Sequence, residues 1–121
     1  ADIISMINTL QGMKIDIKTG KPVLGNIIGG LSGPAIKPVA IRMVYQVAQV
    51  VDIPIIGMGG IRTIEDIVEM LMAGASAVSI GTATMVDPHL PSKLIEELRQ
   101  YCSENRIQNW KELIGLALPN S

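Results

Sequence analysis

The stretch IPIIGMGGIRTIED, residues 53–66, decides the fold of this chain. It begins with the apolar run IPII, rich in β-branched residues and with Pro54 near its front edge, which predicts a short strand buried on both faces. Three glycines follow within four residues: Gly57, Gly59 and Gly60. Thr63 and Asp66 then have the spacing of a helix capping box, with Asp in place of the usual Glu. The stretch therefore predicts a strand, a glycine-rich turn and the start of a helix.

Upstream of this stretch, the sequence predicts a strand, a small insertion and a helix. Residues 3–7 are a short apolar run typical of a strand. Residues 12–28 are predicted as an inserted β-hairpin with one solvent-exposed face, because Lys14, Asp16 and Lys18 alternate with Met13, Ile15 and Ile17. The helix has Pro38 in its first turn, where a missing N–H costs nothing, and an apolar stripe of Ala40, Val44, Val47, Ala48 and Val51.

Downstream, the alternation of helix and strand continues. The helix that begins at Thr63 is predicted to end at Gly74, and its apolar face consists of Ile64, Ile67, Val68, Leu71 and Met72. AVSIG, residues 77–81, predicts the next strand, and a helix follows around residues 94–102. Asn109 with Glu112 predicts the start of a last short helix.

Three strand–helix units in a row predict a parallel sheet with helices packed against it, in one domain that spans residues 1–121. The pattern by itself leaves two architectures open, an open doubly wound sheet and part of a (β/α)8 barrel. A complete barrel needs about 250 residues, so three units would be only a portion of one.

Composition excludes several classes of function. The formal net charge is −1, and Lys and Arg are scattered among the acids. The three aromatic residues, Tyr45, Tyr101 and Trp110, are too few for a base-stacking surface, so no nucleic-acid partner is expected. No apolar run reaches the roughly 18 residues of a membrane span. The single cysteine, Cys102, excludes an intrachain disulfide and a cysteine metal cluster and is consistent with a cytoplasmic location.

Glycines at two successive strand ends predict a phosphate site. Gly59-Gly60 ends one strand and Gly81-Thr82 ends the next, and glycine lets a phosphate approach the backbone N–H groups closely. A dinucleotide fingerprint is absent, because Arg62 stands where its last glycine would be. The alternative is that each glycine pair only makes the turn between a strand and a helix.

Four segments together resemble the C-terminal part of a dihydroorotate dehydrogenase: INTLQGMKIDIKTGKPV (7–23), GGLSGPAIKPVAIRMV (29–44), IPIIGMGGI (53–61) and AGASAVSIGTA (73–83). GMKIDIKTGKP and SGPAIKPVAIR are similar to the family 1B type. The resemblance covers the chain up to about residue 115. Dihydropyrimidine dehydrogenase has a similar domain and is the nearest alternative. The fold that the resemblance implies is the C-terminal portion of a TIM (β/α)8 barrel, about three βα units with a small β insertion.

The resemblance also implies the site residues and the cofactor, FMN. The residues that match the family's FMN contacts are Ile7, Gly33, Gly59, Gly60, Gly81 and Thr82. Those that match its dihydroorotate contacts are Asn8 and Thr9, and an asparagine amide suits the alternating N–H and C=O edge of that ring. The implied partners are dihydroorotate or orotate, an electron-transfer subunit with FAD and an iron–sulfur cluster that passes electrons to NAD, and a second copy of the chain in a homo-oligomer. No metal site is expected.

The reaction that the resemblance implies needs groups that this sequence lacks. In the family, a cysteine on a mobile loop takes a proton from C5 of dihydroorotate, while a hydride leaves C6 for the flavin, and a lysine stabilises the reduced ring. Cys102 falls on a late helix, where it is predicted to be a small buried hydrophobe. His89 precedes a helix start, where a capping or surface role is expected. We therefore expect a fragment of the enzyme that is inactive alone.

Two other classes stay open at this point. A free-standing half-barrel could bind FMN or another phosphate ligand without turnover. The chain could instead have only an interaction role and pair with itself to close a barrel, because three strands leave two sheet edges and an apolar inner face uncovered.

Overall fold

The computed structural model describes residues 1–119. A three-stranded parallel sheet lies at its centre, formed by β1 (Ile4–Met6), β6 (Ile55–Met58) and β7 (Ala77–Ser79), with β6 in the middle. Ile4 pairs with Ile55, and Gly57 of the central strand pairs with Val78. The predicted parallel sheet is confirmed, and within residues 1–119 its edge strands β1 and β7 have no further strand partner.

Two helices cover the central strand. They are α1 (Lys37–Ala48), which follows a 3₁₀ turn at Pro34–Ile36, and α2 (Ile64–Met72). The predicted capping box at the start of α2 is confirmed, because Asp66 N donates to Thr63 Oγ1 at 3.2 Å and Thr63 N donates to Asp66 Oδ2 at 3.1 Å. Gly74, two residues beyond α2, has a φ of +120°, as a left-handed helix cap requires.

Two details of the helix predictions are wrong. The stripe assigned to α1 runs one turn too far, since the helix ends at Ala48 and Val51 lies beyond it. The apolar face assigned to α2 omits Met70, which is fully buried, whereas Met72 at its end is only half-buried. Met70 packs over the central strand, and a Cβ on Gly57 would come within 2.7 Å of its Cγ. The first glycine of the opening stretch therefore lets α2 pack closely on the sheet.

The insertion consists of two small antiparallel pairs rather than one hairpin over residues 12–28. Strand β2 (Leu10–Met13) pairs with β5 (Ile28–Leu31), and β3 (Ile15–Asp16) pairs with β4 (Lys21–Pro22). The expectation of a single wet face is also wrong, because Ile17 is 94% exposed. The other two apolar residues of the alternation, Met13 and Ile15, are 51% and 52% exposed. Lys14 and Lys18 are exposed, as predicted, and so is Lys21.

The last third of the chain adds three helical segments. Helix α3 (Thr82–Val86) was not predicted, and α4 (Leu90–Glu104) confirms the helix expected around residues 94–102. A 3₁₀ helix at Trp110–Leu113 starts where predicted, with Asn109 Oδ1 accepting a hydrogen bond from Lys111 N. Cys102 is half-buried rather than buried. Across residues 1–119, no helix combines the length and the apolar character needed to cross a membrane.

Candidate functional site

A cavity of about 450 Å³ opens at the carboxyl ends of the three parallel strands. All the residues that the sequence assigned to cofactor and substrate line this one cavity: Ile7, Asn8, Thr9, Gly33, Gly59, Gly60, Gly81 and Thr82. The sheet explains why they meet. Parallel strands place their carboxyl ends at one edge, and in α/β proteins ligands bind at that edge.

Each of the three strands delivers one short segment to the cavity. Residues 7–9 follow β1, Gly59-Gly60 follows β6, and Gly81-Thr82 follows β7. The peptide bond between Met6 and Ile7 is cis. Gly33 comes from the loop between β5 and α1, so the insertion contributes the fourth side.

Several residues that line the cavity were not predicted from the sequence. The polar ones are Ser32, Arg62, Ser79 and Asp87. Ser32 directly precedes Gly33, and Ser79 lies two residues before Gly81. Closeness in sequence to a predicted site residue was therefore the available signal for these two serines. The apolar ones include Leu31, Ile36, Met58 and Ile61, which make one wall hydrophobic.

The glycine-rich strand ends carry unused hydrogen-bond donors. Among the hydrogen bonds outside the helices and strands of residues 1–119, none has the backbone N–H of Gly60, Gly81 or Thr82 as its donor. A backbone N–H that lacks a protein acceptor needs water or a ligand as its partner. These three donors on residues that line one cavity suit a multiply charged anion such as a phosphate.

The space above the glycines also fits a bound group. Gly33 is itself buried, yet a Cβ built on it meets no heavy atom within 4 Å, so protein packing does not fill the room beside it. A Cβ on Gly81 also meets no heavy atom within 4 Å, but Gly81 is exposed. At Gly33 the φ of +104° independently favours glycine. The residues present therefore fit a phosphate-bearing cofactor such as FMN.

The Asn8 side chain makes one hydrogen bond with the neighbouring backbone. Its Oδ1 accepts from Thr9 N at 2.9 Å. Among the side-chain hydrogen bonds of residues 1–119, none has Asn8 Nδ2 as its donor, and Asn8 lines the cavity. Asn8 Nδ2 can therefore donate to a ligand carbonyl while Oδ1 keeps its bond to Thr9.

A buried carboxylate lies just behind the Gly59-Gly60 turn. Asp66 Oδ2 accepts hydrogen bonds from the N–H groups of Arg62 (3.0 Å) and Thr63 (3.1 Å). Its Oδ1 accepts from Lys37 Nζ at 2.7 Å, and Lys37 also donates to Glu69 Oε2 at 2.8 Å. Burial by itself would raise the pKa of the Asp66 carboxyl, but these hydrogen bonds outweigh burial and hold the pKa below its ordinary value.

The lowered pKa of the Asp66 carboxyl predicts that the fold loses stability in acid. Because the folded pKa lies below the unfolded value of 3.8, its contribution to stability is full above about pH 4 and is lost as pH falls through the folded pKa. We expect Asp66→Asn to lower the free energy of unfolding at pH 7 by about 1–3 kcal/mol and to flatten its decline below pH 4. Urea denaturation from pH 7 to pH 3 measures both effects. An unchanged acid slope in the variant would contradict the assignment.

The two residues set aside by the sequence lie outside the cavity. Cys102 and His89 are absent from its lining, and His89 makes no side-chain cap at the start of α4. Neither residue is placed to act on a ligand in the cavity.

These features define a class: an α/β protein with a parallel sheet and an anion-suited ligand cavity at the carboxyl ends of its strands. Comparison with known proteins then assigns the family. The family model described as "Dihydroorotate dehydrogenase" matches residues 1–102, so the chain belongs to the dihydroorotate dehydrogenase family. The sequence-based resemblance is confirmed, and a flavin is the cofactor that this family implies.

Three similar curated proteins share the name "Dihydroorotate dehydrogenase B (NAD(+)), catalytic subunit". The protein from Exiguobacterium sibiricum is 56% identical over 117 residues, which is 97% of this chain and 38% of that protein. That from Enterococcus faecalis OG1RF is 59% identical over 114 residues, 94% of this chain and 36% of that protein. That from Anoxybacillus flavithermus is 55% identical over 120 residues, 99% of this chain and 38% of that protein. The chain therefore spans less than two-fifths of the length of these relatives.

Proposed function

We propose that this chain forms the phosphate side of an FMN site and part of the dihydroorotate site in a family 1B dihydroorotate dehydrogenase, which oxidises dihydroorotate to orotate in pyrimidine biosynthesis. One observation carries the proposal. The residues assigned to FMN and to dihydroorotate come from four separated segments and line a single cavity of about 450 Å³.

The FMN phosphate is assigned to the Gly59-Gly60 and Gly81-Thr82 segments, with the N–H groups of Gly60, Gly81 and Thr82 as its donors. Glycine at three of these four positions keeps Cβ atoms away from the phosphate oxygens. Gly33 and Ile7 border the same space, and Ile7 is apolar and 6% exposed, so it suits the edge of a flat flavin ring. Bound FMN would supply the two-electron redox chemistry of the reaction.

Asn8 and Thr9 are assigned to dihydroorotate. They follow β1 directly and share the cavity with Ile7, so a substrate held by Asn8 Nδ2 would lie beside the flavin. Their role is to orient the substrate ring, since neither side chain is a base strong enough to take a proton from carbon.

The remaining parts of the enzyme are proposed to lie in sequence outside this chain. In this proposal the three βα units are the C-terminal portion of a (β/α)8 barrel, and the sheet edges β1 and β7 meet the rest of it. The name of the relatives supports an NAD-linked B-type enzyme whose catalytic subunit works with another subunit, here proposed to carry FAD and an iron–sulfur cluster. A homo-oligomer and a cytoplasmic location complete the proposal.

A second candidate is that the chain alone binds FMN without turnover. The only cysteine, Cys102, lies outside the cavity, so within residues 1–119 no thiol is placed to act as the family's base. The chain alone is then expected to hold flavin that dihydroorotate does not reduce.

The test is a titration of the 121-residue chain with FMN and, separately, with riboflavin, which lacks the phosphate. Quenching of flavin fluorescence reports binding in both titrations. We expect FMN to bind at least about tenfold more tightly, because phosphate contacts in such sites are charge-assisted hydrogen bonds. Adding dihydroorotate should leave the flavin absorbance unchanged. A folded chain that binds neither flavin would contradict the proposal, and bleaching by dihydroorotate would overturn the expectation that the chain is inactive.

A further inference from the structure

Asp66 stands apart from the other charged residues within residues 1–119. Among the charged residues that the structure describes, it is the one that is buried, with 7% of its surface exposed. A buried carboxylate is costly unless hydrogen bonds and a cation compensate it. Asp66 has both, which raises the question of what this arrangement holds in place.

The carboxylate accepts hydrogen bonds from two adjacent backbone N–H groups and from one side chain. Its Oδ2 accepts from the N–H groups of Arg62 and Thr63, which follow the Gly59-Gly60 turn after Ile61. Through Oδ1 it holds Lys37, the first residue of α1, which follows the Gly33 loop. Asp66 and Lys37 are 29 residues apart in sequence, so this contact ties two sides of the cavity together.

The two loops also touch directly at Gly60. A Cβ built on Gly60 would be 2.8 Å from both Gly33 O and Lys37 N. The backbone of the Gly59-Gly60 turn therefore rests on the backbone of the Gly33 loop, and the Lys37–Asp66 pair holds the two together nearby.

We propose that Asp66 is a positioning residue that fixes the Gly59-Gly60 turn against the Gly33 loop in the arrangement that a ligand phosphate requires. The inference rests on the proposed FMN site and deepens it. A capping box alone needs only the reciprocal bonds between Asp66 and Thr63. The added bonds to Arg62 N and Lys37 Nζ extend beyond that motif and connect the cap to both loops of the cavity.

The neighbouring Glu69 provides a matched control. It also accepts a hydrogen bond from Lys37 Nζ, at 2.8 Å, but it is exposed and bonds to neither cavity loop. Glu69→Gln removes a carboxylate charge from the same cation without loosening the Gly59-Gly60 turn.

The readout is the ratio of the riboflavin Kd to the FMN Kd. General destabilisation of the fold weakens the binding of both ligands, whereas a misplaced phosphate site weakens the binding of FMN alone. We expect Asp66→Asn to lower this ratio at least about fivefold and Glu69→Gln to keep it within about twofold, since a displaced donor loses a charge-assisted hydrogen bond. Circular dichroism confirms that each variant is folded.

The outcomes separate this inference from the proposed function. If the parent chain prefers FMN and folded Asp66→Asn keeps the same ratio, the positioning role is wrong while the FMN site stands. If the parent chain shows no preference for FMN, both are overturned. If Asp66→Asn does not fold, Lys37→Met keeps the capping box but cuts the link between the loops, and an unchanged ratio in that variant overturns the inference.

Discussion

Replacing Gly60 with alanine should lower the free energy of unfolding by about 2–4 kcal/mol, the range typical of backbone clashes and strained dihedrals. Gly60 has a φ of +72°, and its Cβ would lie 2.8 Å from Gly33 O and from Lys37 N. Both atoms belong to the backbone and cannot rotate away as a side-chain tip can. Because the same contact aligns the two cavity loops, flavin binding should be lost with stability. Urea denaturation followed by circular dichroism measures the change.

Gly20→Ala is the matched control for this prediction. Gly20 has nearly the same φ, +69°, but a Cβ there meets nothing within 4 Å. It should cost only the left-handed strain of about 1–2 kcal/mol. If Gly60→Ala is no more destabilising than Gly20→Ala, the close approach of the two loops is not as described.

Replacing Gly81 with alanine should have the opposite profile, a stable fold with a damaged site. Its φ is −109°, outside the left-handed region, and a Cβ there meets no heavy atom within 4 Å. Because Gly81 lines the cavity and its N–H is a proposed phosphate donor, we expect the added methyl group to crowd a bound phosphate. We expect FMN affinity to fall about 10–100-fold, equivalent to roughly 1.4–2.8 kcal/mol, with much less effect on riboflavin.

Gly25→Ala provides the control for a methyl group added in open space away from the cavity. A Cβ on Gly25 also meets nothing within 4 Å, and this residue does not line the site. Gly25→Ala should leave the free energy of unfolding nearly unchanged and should keep the FMN Kd within about a factor of two of the parent value, because surface changes of this kind are nearly neutral. If Gly81→Ala changes the FMN Kd no more than Gly25→Ala does, Gly81 is not part of the phosphate site.

Local sequence determined the central elements of the fold. The β-branched run before Gly57 forms the middle strand, Thr63 and Asp66 form the capping box, and Gly74 ends the helix. Each of these signals depends on residues within a few positions of one another. Such short-range chemistry, namely β-branching, reciprocal capping and a positive φ, can be recognised in sequence without any knowledge of the partners.

The sequence named some of the residues that line the cavity and not others. Glycine positions and family resemblance named eight lining residues, whereas Ser32, Arg62, Ser79 and Asp87 line the cavity only because the parallel pairing of β1, β6 and β7 and the packing of the loops bring them there. The assignment of these residues to FMN and dihydroorotate remains a prediction for the flavin titrations to test.

Long-range packing decided the rest. The alternation around Ile17 predicted an apolar face for the insertion, but periodicity tells which side is apolar and not whether anything covers it. Met70 was missed because its burial depends on the close approach that Gly57 allows. In the sequence Asp66 is only a helix cap. Asp66 is buried and contacts Lys37, 29 residues away, because the tertiary fold brings the starts of α1 and α2 together. A local sequence pattern cannot predict a contact between residues so far apart in sequence.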